Sequence, residues 1–305
     1  MSVFRSLSFV LVLLLAAGCQ NSPQSADDAD MDAMPAQDVA TDDVRYVTMG
    51  GAVTELVYAY GLGDQVVGVD LSSSFPPAVR ELPQLGYFRQ SSAEGVISLN
   101  PTHVLASSGI GPEGVVEQIE QTGIEVIVFP EADTFESALA RARAVGEALN
   151  RPDSAEAVVA RMEAGLEAAR GVYLQEPPRA LFIYARGAGL VNVGGTNTSA
   201  DEIIRLAGGV NAVTAFEGFR PLTAEAMVEA SPDFIVLPAR GLESLGGIDG
   251  LLQQPGVAQT PAGQNRAVIG IDDALLLGFG PRVGQGIEEL ARSFATTDTR
   301  VAMAQ

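Results

Sequence analysis

The capacity of this chain for chemistry rests on its arginines. All 18 basic side chains are Arg, and none of the 305 residues is Lys. A guanidinium presents a planar fork of donors that grips a carboxylate through two hydrogen bonds, which an ammonium cannot do. Arg240 follows a predicted strand ending at Leu237, and the C-terminal edge of such a strand opens onto a ligand crevice in α/β sheets. The competing reading is a surface ion pair with one of the 38 acidic side chains. The lack of Lys removes a P-loop, a Schiff base and a Ser-x-x-Lys nucleophile at once. A single Cys forms no intrachain disulfide, and with a single His it cannot build a zinc cage. Neither a Gly-x-Ser-x-Gly turn nor a His/Asp/Cys ligand cluster is present, so a hydrolase or reductase site is not expected. The formal charge of −20 leaves no basic stripe to neutralise phosphates, so nucleic-acid binding is excluded. Gly278-Phe279-Gly280 and Gly194-Gly195 fall short of a Gly-x-Gly-x-x-Gly loop and read as turns. His103 sits inside a predicted strand and is assigned to packing.

Residues 1–18 read as an export signal. Arg5 supplies the positive start, residues 9–15 an apolar run, and Ala16, Ala17 and Gly18 the small residues before Cys19. The run is shorter than the roughly 20 residues of a spanning helix. Cys19 stands where a lipoprotein signal places its acylated residue, similar to a lipobox except that Ala16 replaces the more usual Leu. Acylation there tethers a soluble domain to a membrane without a spanning segment; the alternative is an ordinary cleaved signal with a coincidental Cys. Residues 19–44 carry seven Asp and no aromatic residue. Such a segment buries too little apolar surface to offset its chain entropy, so it reads as a solvated tether.

From Arg45 onward, β-branched runs alternate with helical spacing. Residues 46–49, 65–70, 102–106 and 125–129 read as strands, and 52–60, 112–121 and 134–149 as helices; this alternation predicts a parallel sheet flanked by helices. A long helix is expected over 152–173, with Pro152 at its first position and Asn150 as its cap. Further strands are predicted at 180–184, 233–237 and 267–271. The two halves repeat one another at an offset of 131 residues. Ser92-Ala93-Glu94 with Pro101, Val104 and Leu105 matches Thr223-Ala224-Glu225 with Pro232, Ile235 and Val236, and Phe88-Arg89 matches Phe219-Arg220. Each copy reads as a short helix capped by Ser92 or Thr223, a Pro-marked turn and a buried strand. The expected architecture is therefore α/β, with two Rossmann-like lobes joined by a single long helix and a ligand cleft between them. The lobes span 45–150 and 176–298, and the linking helix 151–175.

Gly86-Tyr87-Phe88-Arg89-Gln90 and Ser92-Ala93-Glu94-Gly95-Val96 resemble the haem-binding proteins of bacterial haem ABC importers. The stretches Asp201-Glu202-Ile203-Ile204-Arg205-Leu206-Ala207-Gly208-Gly209, Pro221-Leu222-Thr223-Ala224-Glu225 and Leu277-Gly278-Phe279-Gly280-Pro281-Arg282 are similar to the same family, as is 241–247. The resemblance runs from about Arg45 to Ala295, and the architecture is shared with cobalamin and ferric-siderophore receptors.

The resemblance implies a binding protein with no catalytic residues, acting as a monomer on the periplasmic side. It would carry haem to the permease dimer and ATPase of an ABC transporter. Tyr87 would ligate the haem iron through its phenolate, a hard oxygen suited to ferric iron, and Arg89 would hydrogen-bond either that phenolate or a haem propionate. Arg220 and Arg240 are further propionate candidates; Arg89 and Arg220, as repeat equivalents, are expected on loops facing each other across the cleft. Glu94 and Glu225 would meet Arg residues of the two permease subunits, against a simpler role as first-turn carboxylates favoured by the helix dipole. Some relatives supply a His from the second lobe, which this chain lacks. A ferric siderophore or cobalamin remains the alternative ligand.

Overall fold

Strand β1 (Tyr46–Met49) is buried along its whole length, as suits the middle of a parallel sheet covered on both faces. The structure, a computed structural model, describes residues 44–303. The export signal, Cys19 and nearly all of the acidic tether lie outside the described residues. After β1 come α1 (Gly51–Ala59), β2 (Val66–Val69), α2 (Ala93–Ile97), β3 (His103–Ser107), α3 (Val115–Glu120), β4 (Glu125–Phe129) and α4 (Phe135–Ala148). The four strands form an all-parallel sheet in the order β2-β1-β3-β4, as the alternation predicted. Successive strand side chains point to opposite faces. Val47, Met49, Val104 and Ala106 therefore pack on α2 and α3, whereas Tyr46 and Leu105 pack on α1 and α4.

Helix α5 (Pro152–Arg170) links the two lobes; at 1.5 Å per residue its 19 residues span about 28 Å. Pro152 opens it as expected. Asn150 does not cap it: Asn150 ends α4 with φ 52°, and Arg151 precedes α5 without a capping side-chain bond. A short amide side chain tolerates the left-handed region, so Asn150 stops one helix instead of starting the next.

The second lobe runs β5 (Arg179–Ala185), β6 (Val191–Gly194), α6 (Ser199–Leu206), β7 (Val210–Asn211), β8 (Phe219–Pro221), α7 (Ala224–Ala230) and β9 (Phe234–Pro238). It continues with α8 (Ala239–Ser244), α9 (Gly247–Leu252), α10 (Pro261–Gln264), β10 (Val268–Ile271), α11 (Asp273–Leu277) and α12 (Val283–Met303). Its sheet has the order β10-β9-β5-β6-β8, with β7 also on β5. Strands β10, β9, β5 and β7 are parallel, while β6 and β8 add antiparallel. Alternation again splits the packing. Leu181, Ile183, Ile235 and Leu237 face one apolar cluster. Ala180, Phe182, Phe234 and Val236 face the other, which also contains Val53, Val145, Val158, Met162, Ile287 and Phe294. One core thus runs from the first sheet through α4, α5 and α12 to the second.

The internal repeat is structural for one stretch and not for another. β3 and β9 begin and end 131 residues apart, and α2 and α7 start 131 apart. Ser92 accepts a bond from the Gly95 N–H and Thr223 from the Ala226 N–H, as capping predicted. Upstream the copies diverge. Phe88 is buried in a 3-10 turn, whereas Phe219 is 44% exposed on β8.

Helix α12 lies against α5, and the two backbones touch at glycines. A Cβ added to Gly165 would stand 2.6 Å from the Gly284 carbonyl carbon, nearer than packed atoms approach. Gly165→Leu is therefore expected to force the helices apart and cost about 2 kcal/mol or more through overpacking. Urea unfolding of parent and variant measures this, and an unshifted midpoint would contradict the contact.

Candidate ligand site between the lobes

Four parallel strands end at one place. Gly50 follows β1, Ser107 closes β3, Ala185 closes β5 and Pro238 closes β9, and all four line a cavity of about 890 Å³. This is the crevice beyond the carboxyl ends of strands where α/β proteins bind ligands, and its volume lies toward the upper end of small-molecule sites, roughly 300–1,000 Å³. Much of its wall is backbone: Gly50, Gly51, Gly187, Gly241, Gly278 and Gly280 all border it. Walls without side chains leave flat faces that a planar ligand can approach closely.

Tyr87, Arg89 and Arg240 all line the cavity. Tyr87 is half-buried in the loop before α2 and meets the Phe88 ring edge-on at 5.0 Å. Arg89 Nε donates to the Tyr87 hydroxyl at 3.3 Å. Its guanidinium lies 4.8 Å from the Phe88 ring centroid and pairs through Nη2 with Glu131. The seat for this guanidinium is made by Gly109. That residue has φ 81°, and a Cβ there would collide with Arg89 Nη1.

Arg240 is exposed at the start of α8; its own N–H donates to Asp273 Oδ1 at 3.3 Å. Arg186, which the sequence reading missed, follows β5 on the same wall with its guanidinium 5.6 Å from the Tyr184 ring centroid. Neither the Arg186 nor the Arg240 guanidinium has an ion-pair partner among the described residues. Asp273 interacts electrostatically with both. Burial raises its pKa, against the pull of the Arg240 N–H and both guanidinia. Tyr184-Ala185-Arg186 repeats the Tyr-x-Arg spacing of 87–89, but 97 residues away, outside the 131-residue offset that revealed the duplication.

Arg220 does not face the cavity. It lies on β8, paired antiparallel with Val193 of β6, and stacks 4.5 Å from the Phe216 ring centroid. The expectation that Arg89 and Arg220 oppose each other fails because one repeat copy forms a turn and the other a strand. His103 begins β3, at the end of the strand remote from the cavity, where Nδ1 meets the Thr102 hydroxyl at 2.8 Å. Four residues of strand, roughly 13 Å, separate it from Ser107. Glu94 and Glu225 are both exposed in the first turns of α2 and α7, away from the cavity lining. Among the described residues no three His, Cys, Asp or Glu side chains converge to hold a metal ion, and no helix is long and apolar enough to cross a membrane.

Two buried polar contacts join the lobes beside the cavity. Arg282 grips Glu55 through Nε at 2.8 Å and Nη2 at 2.7 Å, and the Glu55 side chain is only 4% exposed. Burial pushes Glu55 up from the usual carboxyl range, opposed by Arg282. Arg141, on α4, donates Nη2 to the carbonyls of Gly278 at 2.9 Å and Phe279 at 2.5 Å. Its pKa is pushed down to about 10 by burial, and its Nε has no hydrogen-bond partner among the described residues.

Residues 47–275 match the model of a family described as periplasmic binding protein. The chain belongs to that family, whose members bind substrates for transport. It is similar to the solved structure of the periplasmic heme-binding protein RhuT from Roseiflexus sp. RS-1, with 40% identity over 83% of this chain and 98% of that one and a TM-score of 0.80. Among curated proteins it is 27% identical to the ABC transporter substrate-binding lipoprotein YvrC of Bacillus subtilis, over 94% of this chain and 95% of that one. It is also 23% identical to a vitamin B12-binding protein of Vibrio vulnificus, over 84% and 92% of the two chains.

Arg282→Met leaves the Glu55 carboxylate buried without its counter-ion, with an expected loss of about 3 kcal/mol near neutral pH. A carboxyl raised in the folded state contributes stability that is full below its ordinary value of 4.5 and lost as pH rises through the folded value. The gap between variant and parent should therefore narrow on acidification, and Glu55→Gln combined with Arg282→Met should recover most of it. Denaturant midpoints across pH test this; a gap that does not vary with pH would refute it.

Proposed function

We propose that this protein is a lipid-anchored receptor that captures haem outside the cytoplasmic membrane and delivers it to the permease and ATPase of an ABC importer. The observation that carries the proposal is the Tyr87 hydroxyl on the cavity wall with a guanidinium nitrogen 3.3 Å away. A phenolate oxygen is an established axial ligand of ferric haem, and the guanidinium is placed to donate a hydrogen bond to it. The rest of the lining suits the same cargo. Backbone-walled faces accept a flat macrocycle, Leu71, Ala132 and Leu277 supply apolar contact, and the free Arg186 and Arg240 guanidinia match its two propionates. Tyr184 offers a second phenol from the opposite lobe. The 40% identity to a periplasmic heme-binding protein supports the same ligand.

Residues 1–18 serve as the export signal, Cys19 as the lipidated residue and 19–44 as the tether, placing one copy of the two-lobed body on the periplasmic side. The likeness to a substrate-binding lipoprotein supports this arrangement. Glu94 and Glu225, one exposed on each lobe after a matched cap, dock the pseudo-symmetric receptor on the two permease subunits. The vitamin B12-binding relative favours a second reading, a corrinoid in the same cleft; a corrinoid, however, has no need of the phenol beside Arg89.

Titration with ferric haem is expected to give a high-spin phenolate spectrum. Tyr87→Phe should abolish its charge-transfer band and weaken binding about tenfold or more, the scale of one lost charge-assisted contact. The same spectrum and affinity in both proteins would remove Tyr87 as the ligand, and tighter binding of cyanocobalamin than of haem would favour the corrinoid. Combined Glu94→Ala and Glu225→Ala changes should impair import in reconstituted vesicles while leaving haem titration unaltered; lost binding would contradict a docking role.

A further inference from the structure

Arg89 has two possible uses in the cleft, and the contacts of Glu131 distinguish them. Glu131 follows β4 at the cavity, with its N–H donating to the Ser108 hydroxyl at 3.0 Å. Its carboxylate takes Nη2 of Arg89, whose Nε is directed at the Tyr87 oxygen. The pair is 43% and 49% exposed, so solvent screening leaves it little weight in stability. Its consequence is orientational. The carboxylate offsets the Arg89 charge and occupies Nη2, while the bare backbone at Gly109 and the Phe88 ring border the rest of the guanidinium. Arg186 and Arg240 feel the Asp273 carboxylate without pairing with it, and their guanidinium donors are free among the described residues.

We infer that Glu131 is a positioning residue that commits Arg89 to the Tyr87 oxygen, leaving the carboxylates of the cargo to Arg186 and Arg240. The inference rests on Tyr87 being the iron ligand. The chain Glu131–Arg89–Tyr87 then acts as outer partners do at other metal sites, where a carboxylate fixes the group that hydrogen-bonds the ligand. Without Glu131, the guanidinium keeps its charge and gains a free Nη2, so it competes for a propionate and its bond to the phenolate loosens.

The test uses the detergent-solubilised full chain titrated with ferric haem and with haem dimethyl ester, whose carboxylates are blocked. Arg89→Ala is expected to weaken both ligands by the same factor, about tenfold, and to shift the phenolate charge-transfer band. Glu131→Gln should shift that band too and raise the preference for haem over the ester about threefold, the scale of one exposed ion pair. Its melting temperature should stay at the parent value. A Glu131→Gln protein with the parent band and the parent preference would overturn the inference, as would an Arg89→Ala protein weakened toward haem alone. A spectrum that survives Tyr87→Phe would sink the iron-ligand reading and this inference with it. A Tyr87-dependent spectrum indifferent to Glu131 would sink only the inference.

Discussion

The two lobes are held at a fixed separation by a contact between backbones. Gly165 of the linking helix and Gly284 of α12 approach so closely that no side chain fits between them, and the apolar cluster around them is shared by both sheets. Dispersion and burial act over short range, so this crossing fixes how closely α5 and α12 pack. The Glu55–Arg282 pair and the Arg141 donors to Gly278 and Phe279 fasten the same junction on its polar side.

The cavity gathers arginines within an acidic molecule. The whole chain carries a formal charge of −20, yet Arg89, Arg141, Arg186 and Arg240 surround one space. They are held in three ways: one paired with a carboxylate, one buried and bound to carbonyls, two left open. Glu55, Glu131, Asp133 and Asp273 share the lining, so the cleft offers an anionic ligand particular donors and no net positive charge.

Local signals made the strands, the linking helix and the capped repeat helices legible in the sequence. β-Branched runs, Ser92 and Thr223 as caps, and Pro152 at a helix start each specify structure within a few residues. What escaped notice depended on tertiary context. Asn150 reads equally as a cap or a stop, and only the packing of α4 decides. Helix α12 starts among glycines and ends among threonines, both weak helix formers, and its apolar stripe of Ile287, Leu290, Ala291 and Phe294 is stabilised by α5. Strands β6 and β8 are short additions to a sheet edge. In the site, Tyr87 stood out through its motif and Arg240 through its place after a strand. Glu131 occupies the corresponding place after β4 and was open to the same argument. Arg220 misled because equal sequence spacing was taken for equal conformation, whereas Phe88 is buried where Phe219 is exposed.

The duplication has left the two halves with unequal grips. On the proposed reading, the phenol that would meet the metal belongs to the first lobe, and the open guanidinia belong to the second. A metal–oxygen bond outlasts a solvent-exposed ion pair when both are stretched. If a permease pries the halves apart, the carboxylate side of the cargo comes loose first and the metal last. The macrocycle would then leave in a defined orientation, acidic edge leading, still tethered to one half until the final bond breaks.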